Sequence, residues 1–205
     1  MIISFEGGEG SGKGTQIQLL KKVLLAKKVK VLDIIEPGGT KEGKAIRKVT
    51  LDRKDLKLTG IAEAFLFCAS RNQQVETVTR PALAEGKVIL SDRSYFSTYA
   101  YQGYGRDLNL RSLELLTLIA VGYTIPDLVI LLDVPPEIGL ARKKHQNKMN
   151  RLDSETLTFH KRVRNGYLEL AKMPGPLWRV VDATDSVEEI HRQVVEHVFW
   201  RLGIS

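Results

Sequence analysis

Cysteine is almost missing from this chain. One thiol, Cys68, in 205 residues excludes an intramolecular disulfide and a cysteine-ligated zinc centre, and it suits a reducing compartment such as the cytoplasm. It lies in the apolar string Phe65-Leu66-Phe67-Cys68-Ala69, the setting of a buried, inert thiol. The four histidines, at 145, 160, 191 and 197, show no ligand spacing. Long hydrophobic runs are also lacking. Stretches such as Leu128 to Leu132 fall far short of the roughly 20 residues that span a bilayer, so no membrane partner is expected. The first strand pattern begins at residue 2, so no leader segment is expected. Internal repeats, low-complexity linkers and aromatic-interleaved basic stretches are absent, and nucleic acid is not an expected partner.

What is present is an ordinary globular composition, 43% hydrophobic with a net charge of +7. The Lys and Arg are spread along the chain, a balance that suits a small anionic partner. Apolar runs at 2–5, 30–35, 88–91, 128–132 and 178–182 read as buried strands. Helical patterns lie between them: a first helix with Ile17, Leu20 and Leu24 on one face, then 59–79, 111–122, 136–147, 155–172 and 186–200. Such alternation predicts one α/β domain over residues 1–205, with a parallel sheet covered by helices on both faces. Pro37, Pro81, Pro126 and Pro135-Pro136 are expected at element boundaries. The ligand crevice belongs at the carboxyl ends of the strands.

Directly after the first strand comes Gly7-Gly8-Glu9-Gly10-Ser11-Gly12-Lys13-Gly14-Thr15. The spacing G-x-x-x-x-G-K, between a strand and a helix, predicts a phosphate-binding loop. Glycines let backbone N–H groups approach phosphate oxygens, and the helix dipole points its positive end at them. Lys13 then serves the β- and γ-phosphates. The hydroxyl is displaced by one place, to Thr15, so Mg²⁺ is expected to be held largely by phosphates and water.

Other constellations are weaker one by one. Asp92-Arg93 follows the third strand, where the carboxylate can serve Mg²⁺ and the guanidinium an acceptor phosphate; a structural ion pair would account for the same string. Glu36-Pro37-Gly38-Gly39-Thr40 is a tight turn. Phe67 and Arg71 share a helix face, where one can stack on a base and the other bond its edge, or one can be core and the other surface. Ser97 to Arg106, rich in hydroxyls and aromatics, reads as a nucleoside pocket or as a helix end with a Gly-terminated loop. From Arg142 to Arg151 there are five Lys or Arg and no acid, which reads as a solvated helix end or, after a phosphate-binding loop, as a lid over 142–153 closing on a triphosphate.

Taken together, these strings resemble the thymidylate kinase family: Phe5 to Lys13, Glu36 to Thr40, Leu66-Phe67 through Arg71, Asp92 to Gly105, Pro126-Asp127, Leu131 to Asp133, and Asn150 to Asp153. The resemblance spans the whole chain. It implies the P-loop kinase fold with strand order 2-3-1-4-5, transfer of the ATP γ-phosphoryl group to dTMP in dTTP synthesis, Mg²⁺ and a homodimer. It also implies residue roles. Phe67 would stack on thymine and Arg71 would bond its O4. Arg93 and Arg47 would hold the dTMP phosphate, with Glu36 and Ser97 on the same side. Thr98 and Gln102 would contact the base, and Tyr101 would crowd the 2′ position. Glu9 would lie near the sugar and, with Asp92, near the metal through water. Gly7 to Thr15 and Arg142 would bind ATP. Lys13, Arg93, Arg142 and Arg151 would be catalytic, the last two from the lid. Four positions depart from the family pattern: Gly14, Ile35, Ser94 and Asn150, of which Ser94 reads as the least critical.

The nearest rival is another monophosphate kinase or a deoxynucleoside kinase. A GTPase-like switch needs Asn-Lys-x-Asp, and Asn147-Lys148-Met149-Asn150 lacks the Asp. A catalytically weak nucleotide-binding relative is the third reading.

Overall fold

The structure, a computed structural model, describes residues 1–146 and 149–204. Strands β1 (Ile2–Glu6), β2 (Val31–Ile35), β3 (Val88–Asp92), β4 (Leu128–Asp133) and β5 (Leu177–Asp182) form one sheet. Its order is β2-β3-β1-β4-β5, and every neighbouring pair is parallel. Helices α1 (Lys13–Ala26), α2 (Lys41–Arg47), α3 (Gly60–Gln74), α4 (Arg80–Ala84), α5 (Tyr95–Thr98), α6 (Leu110–Val121), α7 (Pro136–His145), α8 (Leu157–Leu170) and α9 (Val187–Leu202) cover it. Among the described residues no helix is long and apolar enough to cross a membrane.

Side-chain parity along the strands decides which layer each residue enters. Ile3 and Phe5 of β1, with Leu128, Ile130 and Leu132 of β4, pack against Ile17, Leu20 and Leu24 of α1 and Ile190, Val194 and Val198 of α9. The alternate residues of β4, Val129 and Leu131, face a second cluster with Phe67, Phe96, Tyr101 and Tyr167. Ser4 and Glu6 have the parity of that second face. Both are buried at its edge, and Ser4 is in register with Ser91 of β3. The centre of one face is therefore apolar, while the other carries a buried polar stripe towards the strand ends.

Three helical segments depart from the sequence reading. α2 was not expected, because Lys41–Arg47 has no full apolar stripe. Thr40 starts it by accepting a bond from Gly43 N at 2.9 Å, and it continues as a π-turn over Lys48–Asp52. Pro81 is not a boundary. The helix from Gly60 runs through a π-turn at Val75–Thr79 and on to Ala84. In that wide turn Arg80 N donates back to Val75 O, and the proline follows where its missing donor leaves the ladder intact. Tyr99–Gly105 is a further π-turn that extends α5, rather than a loop. The rest of the expected 136–147 helix is seen to His145; residues 147 and 148, including the lid lysine Lys148, lie outside the described residues.

Candidate active site

The loop after β1 and the ends of β2 and β3 line a cleft of about 870 Å³, a size typical of small-molecule sites. At one end the chain turns from Gly7 into α1. Gly12, at φ +90°, is the N-cap and offers no side-chain acceptor. By contrast Thr40, Thr59, Asn109, Thr156 and Ser186 each cap their own helix with a side-chain oxygen. The first amides of α1 are thus left for a ligand beside the cleft-lining residues Gly10 to Gln16.

Lys13 is buried, and its ammonium donates to Gly7 O (3.1 Å), Gly8 O (3.0 Å) and Ser11 Oγ (3.1 Å). Burial, helped by the nearby Arg93 charge, brings its pKa from 10.5 to about 8 against the pull of Asp92, Glu9 and Glu6. The loop also touches α7 backbone to backbone. A Cβ on Gly10 would stand 2.0 Å from Gly139 O, and one on Gly139 2.0 Å from Glu9 O. This approach brings Lys143, one turn further along α7, onto Glu9 Oε2 at 3.0 Å; the same ammonium meets Asp153 Oδ2 at 2.6 Å.

Arg93 joins the two ends of the cleft. Its Nη1 donates to Gly7 O (3.2 Å), Ser97 Oγ (3.1 Å) and Tyr167 OH (3.1 Å), and its Nη2 to Glu9 Oε1 and Tyr101 OH, both at 3.1 Å. Its φ is +79°, a conformation rare for a side-chain-bearing residue and held by that many partners. Tyr101 OH also donates to Glu9 Oε1 at 2.7 Å. Burial is the largest influence on the Glu9 carboxyl and raises its pKa, but Arg93, Lys143, Lys13 and the Tyr101 bond together hold it well below the usual range.

Behind Arg93 sits Glu6, with no exposed surface. Its Oε1 accepts from Ser94 N and Ser94 Oγ (2.7 Å each) and Ser4 Oγ (3.1 Å); its Oε2 accepts from Ser97 Oγ (2.7 Å) and Tyr167 OH (3.1 Å). A buried carboxylate so fully satisfied fixes the backbone at Ser94 and the hydroxyls that hold Arg93. At the far end Arg71, also buried, donates Nε to Glu36 Oε2 (2.6 Å), Nη1 to Thr98 Oγ1 (3.0 Å) and Nη2 to Ser94 O (3.2 Å). Burial pushes the Glu36 carboxyl up, against the attraction of Arg71. Phe67, one turn back on α3, lines the cleft beside Leu51 and Gln102.

A loop made for phosphate and a closed-in aromatic pocket thus share one cleft, with an arginine between them. The family model described as thymidylate kinase matches residues 5–194. A thymidylate kinase of Nitratidesulfovibrio vulgaris is 46% identical and covers 99% of this chain and 94% of its own length. One of Acholeplasma laidlawii is 43% identical, covering 98% and 100%, and one of Kosmotoga olearia is 43% identical, covering 96% and 94%. The chain belongs to the thymidylate kinase family. It is accordingly a nucleoside-monophosphate kinase, and the reading as a catalytically weak relative is not favoured.

The structure of this kinase brings most of the expected residues together. Glu9, Gly10, Ser11, Gly12, Lys13, Gly14, Thr15, Glu36, Arg47, Phe67, Arg71, Asp92, Arg93, Ser97, Thr98, Tyr101, Gln102 and Arg142 all line the cleft. Gly7 and Gly8 instead turn their carbonyls to Lys13. Arg47 Nη1 donates to Pro37 O (3.1 Å), and Arg142 Nη1 to Ala183 O (2.8 Å). Arg151 does not line the cleft. Its Nε donates to Thr50 O (2.8 Å), and its Nη2 lies 2.8 Å from Glu63 Oε1, an ion pair off the line of a hydrogen bond. The side chain of Arg151, expected to be catalytic, is here engaged by Glu63 and Thr50 behind the cleft: a charge run gives positions, not directions. The reading of Ser94 as least critical is corrected, since it carries two of the bonds to Glu6. Asp92 and Arg93 form no ion pair, which leaves the Asp92 carboxylate without a hydrogen-bond partner among the described residues. Glu9, expected beside a metal, has both oxygens engaged by cations and a phenol.

Glu6, Tyr167, Lys143, Asp153 and Glu63 were missed as site residues. Lys143 carried a signal inside the basic run, and Glu6 and Asp153 lay in the family-like strings without a role of their own; Tyr167 and Glu63 carried none.

Proposed function

We propose that the cleft transfers the γ-phosphoryl group of ATP to dTMP, giving ADP and dTDP, as a step towards dTTP. The observation that carries this is the Arg93 guanidinium, placed between the glycine loop and the Phe67 pocket. The loop amides, Lys13 and Thr15 bind the donor phosphates, and Arg142, at the Ala183 edge, reaches the adenine side. Arg93 and Arg47 hold the acceptor phosphate. Phe67 stacks on the base, and Arg71, Thr98 and Gln102 address its edge, with Glu36 and Ser97 orienting the arginines. Glu9 and Tyr101 face the sugar.

The acceptor phosphate is already an anion, so no strong general base is needed. Catalysis is alignment for in-line transfer plus stabilisation of charge on the moving group. Lys13 and Arg93 supply that charge, and the segment 142–153 closes as a lid. Mg²⁺, which neutralises the β- and γ-phosphates when bound, fits a site with few protein ligands. Among the described residues no three or more His, Cys, Asp or Glu converge so as to hold a metal ion by themselves, and Asp92 is the cleft carboxylate that would hold the ion through water. The kinase works in the cytoplasm as a homodimer. Phe65 of α3 and Leu115, Leu118 and Ile119 of α6 leave more than half of each side chain exposed on packed helices, a face suited to a second copy.

A coupled ADP-release assay across dTMP, dUMP, AMP, CMP and thymidine tests the reading. The highest kcat/KM belongs to dTMP. Comparable turnover of AMP, or of thymidine itself, would refute it.

A further inference from the structure

α3 carries three residues at helical spacing, Glu63, Phe67 and Arg71, of which Phe67 and Arg71 line the cleft. Only the last two have been given a role above. Glu63 is fully buried. Its Oε2 accepts from Gln102 Nε2 and Arg106 Nε, both at 3.1 Å, and its Oε1 accepts from Arg106 Nη2 at 2.8 Å and pairs with Arg151. Arg106 in turn reaches Glu155 Oε1 at 2.6 Å and stacks 4.9 Å from the Phe159 ring centre. The carboxylate is therefore fixed from two sides by residues that do not touch the cleft.

A carboxamide has a donor end and an acceptor end, whereas a carboxylate only accepts. Gln102 must then turn its NH₂ to Glu63, and the oxygen is the end left for the cleft that Gln102 lines. Arg71 offers the same cleft only donors. The two readers form a fixed pattern of donor beside acceptor. It matches a pyrimidine edge with a carbonyl beside a ring N–H, as in thymine and uracil. It opposes a cytosine edge, which carries an amino group beside a bare ring nitrogen.

We propose that Glu63 is a specificity-determining positioning residue: by accepting from Gln102 Nε2 it turns the Gln102 oxygen to the base edge, directly or through one water, and so selects an imide-type pyrimidine. The inference rests on the acceptor reading given above. If Glu63 were only structural, its loss would lower stability without changing the choice between bases.

The test compares kcat/KM for dUMP and dCMP, two acceptors of equal size, in wild type, Glu63→Gln and Glu63→Asp, with KM for ATP measured alongside. Glu63→Gln frees the amide to flip. Glu63→Asp keeps the charge facing Arg106 and Arg151 but withdraws it from Gln102. Both variants should lower the dUMP-to-dCMP ratio by about tenfold, the size of one buried polar contact. The loss should fall on the acceptor KM, with ATP KM within about twofold of wild type. An unchanged ratio in either folded variant overturns the proposal, as does an equal loss on ATP. Failure of both variants to fold would make Glu63 a structural prop and overturn it too. A wild type indifferent between dUMP and dCMP would refute the acceptor reading itself, a separate outcome.

Discussion

The two ends of the cleft are built from different material. The loop end is backbone: glycines, the uncapped first turn of α1, and a lysine whose acceptors all lie in its own loop. The opposite end is side chain: Glu6 of β1, Glu36 after β2, Arg93 after β3, Arg71 of α3, Ser97 of α5 and Tyr101 of the π-turn that extends it are held by bonds between these segments. Backbone amides at a helix start keep their direction without help and stay open for a ligand. Buried charges do not; each needs partners, and here the partners are one another. The first end is poised for a phosphate that arrives from outside. The second is preorganised, and an incoming phosphate must take over acceptor positions that Glu9 and the Gly7 carbonyl hold on Arg93.

That difference is broken most sharply by Lys13→Ala. Lys13 makes no bond to the opposite end, so its loss should strip charge stabilisation from phosphoryl transfer alone. The single-turnover rate should fall by about a thousandfold, or about 4 kcal/mol. Affinity for dTMP, read by calorimetry, should stay within about twofold. A matching loss of dTMP affinity would show that the two ends are coupled through Lys13.

Gly139→Ala attacks the backbone end from outside the loop. The new Cβ has the Glu9 carbonyl 2.0 Å away, so α7 must shift and pull Lys143 from Glu9. Stability to urea should drop by about 2–3 kcal/mol. Gly8→Ala is the control, since nothing lies within 4 Å of its Cβ; it should unfold within about 0.5 kcal/mol of wild type. Equal unfolding of the two variants would mean that the loop and α7 do not touch.

Arg151→Ala sharpens the comparison from the other side. With Arg106 still on Glu63, the lost pair and the lost bond to Thr50 O should cost about 2 kcal/mol of stability, and turnover should fall far less than in Lys13→Ala. A folded variant of unchanged stability with a collapsed kcat would restore Arg151 to the reaction.

Much of this was legible in the sequence, and the reason is locality. The strands are short, mostly apolar runs, and the loop is nine consecutive residues whose spacing states its chemistry. The pairing between ends is not local. Tyr167 meets Glu6 across 161 residues, and the string around Glu6 does not say which side chains its carboxylate will hold. Charge alone does not place Arg151, since only the fold shows which carboxylate it faces. α2 was missed because its seven residues carry too little apolar periodicity, and the π-turns because their register shift has no sequence period.

The smallest effect is a proton. Burial first, then the Arg93 charge, lowers the Lys13 pKa from 10.5 to about 8, while Asp92, Glu9 and Glu6 resist. Between those two values the unfolded chain holds more protons at this lysine than the folded one. The cost of burying the charged form is therefore fully present below pH 8 and is relieved as pH rises from about 8 towards 10.5, by about 1 kcal/mol per pH unit from this group. Nucleotide reverses the sign. A triphosphate beside the ammonium favours the charged form and raises the pKa again. At pH 7 Lys13 is already charged and binding should take up almost no proton here. At pH 9 it is mostly neutral, and binding should take up nearly one, with affinity falling up to tenfold per pH unit above 8. Calorimetry of a non-hydrolysable ATP analogue in two buffers of different ionisation enthalpy measures the uptake at both pH values. Equal uptake at pH 7 and 9 would show that Lys13 enters the reaction charged throughout. The loop end would then need no ligand to complete it, and the contrast between the two ends would be one of material only.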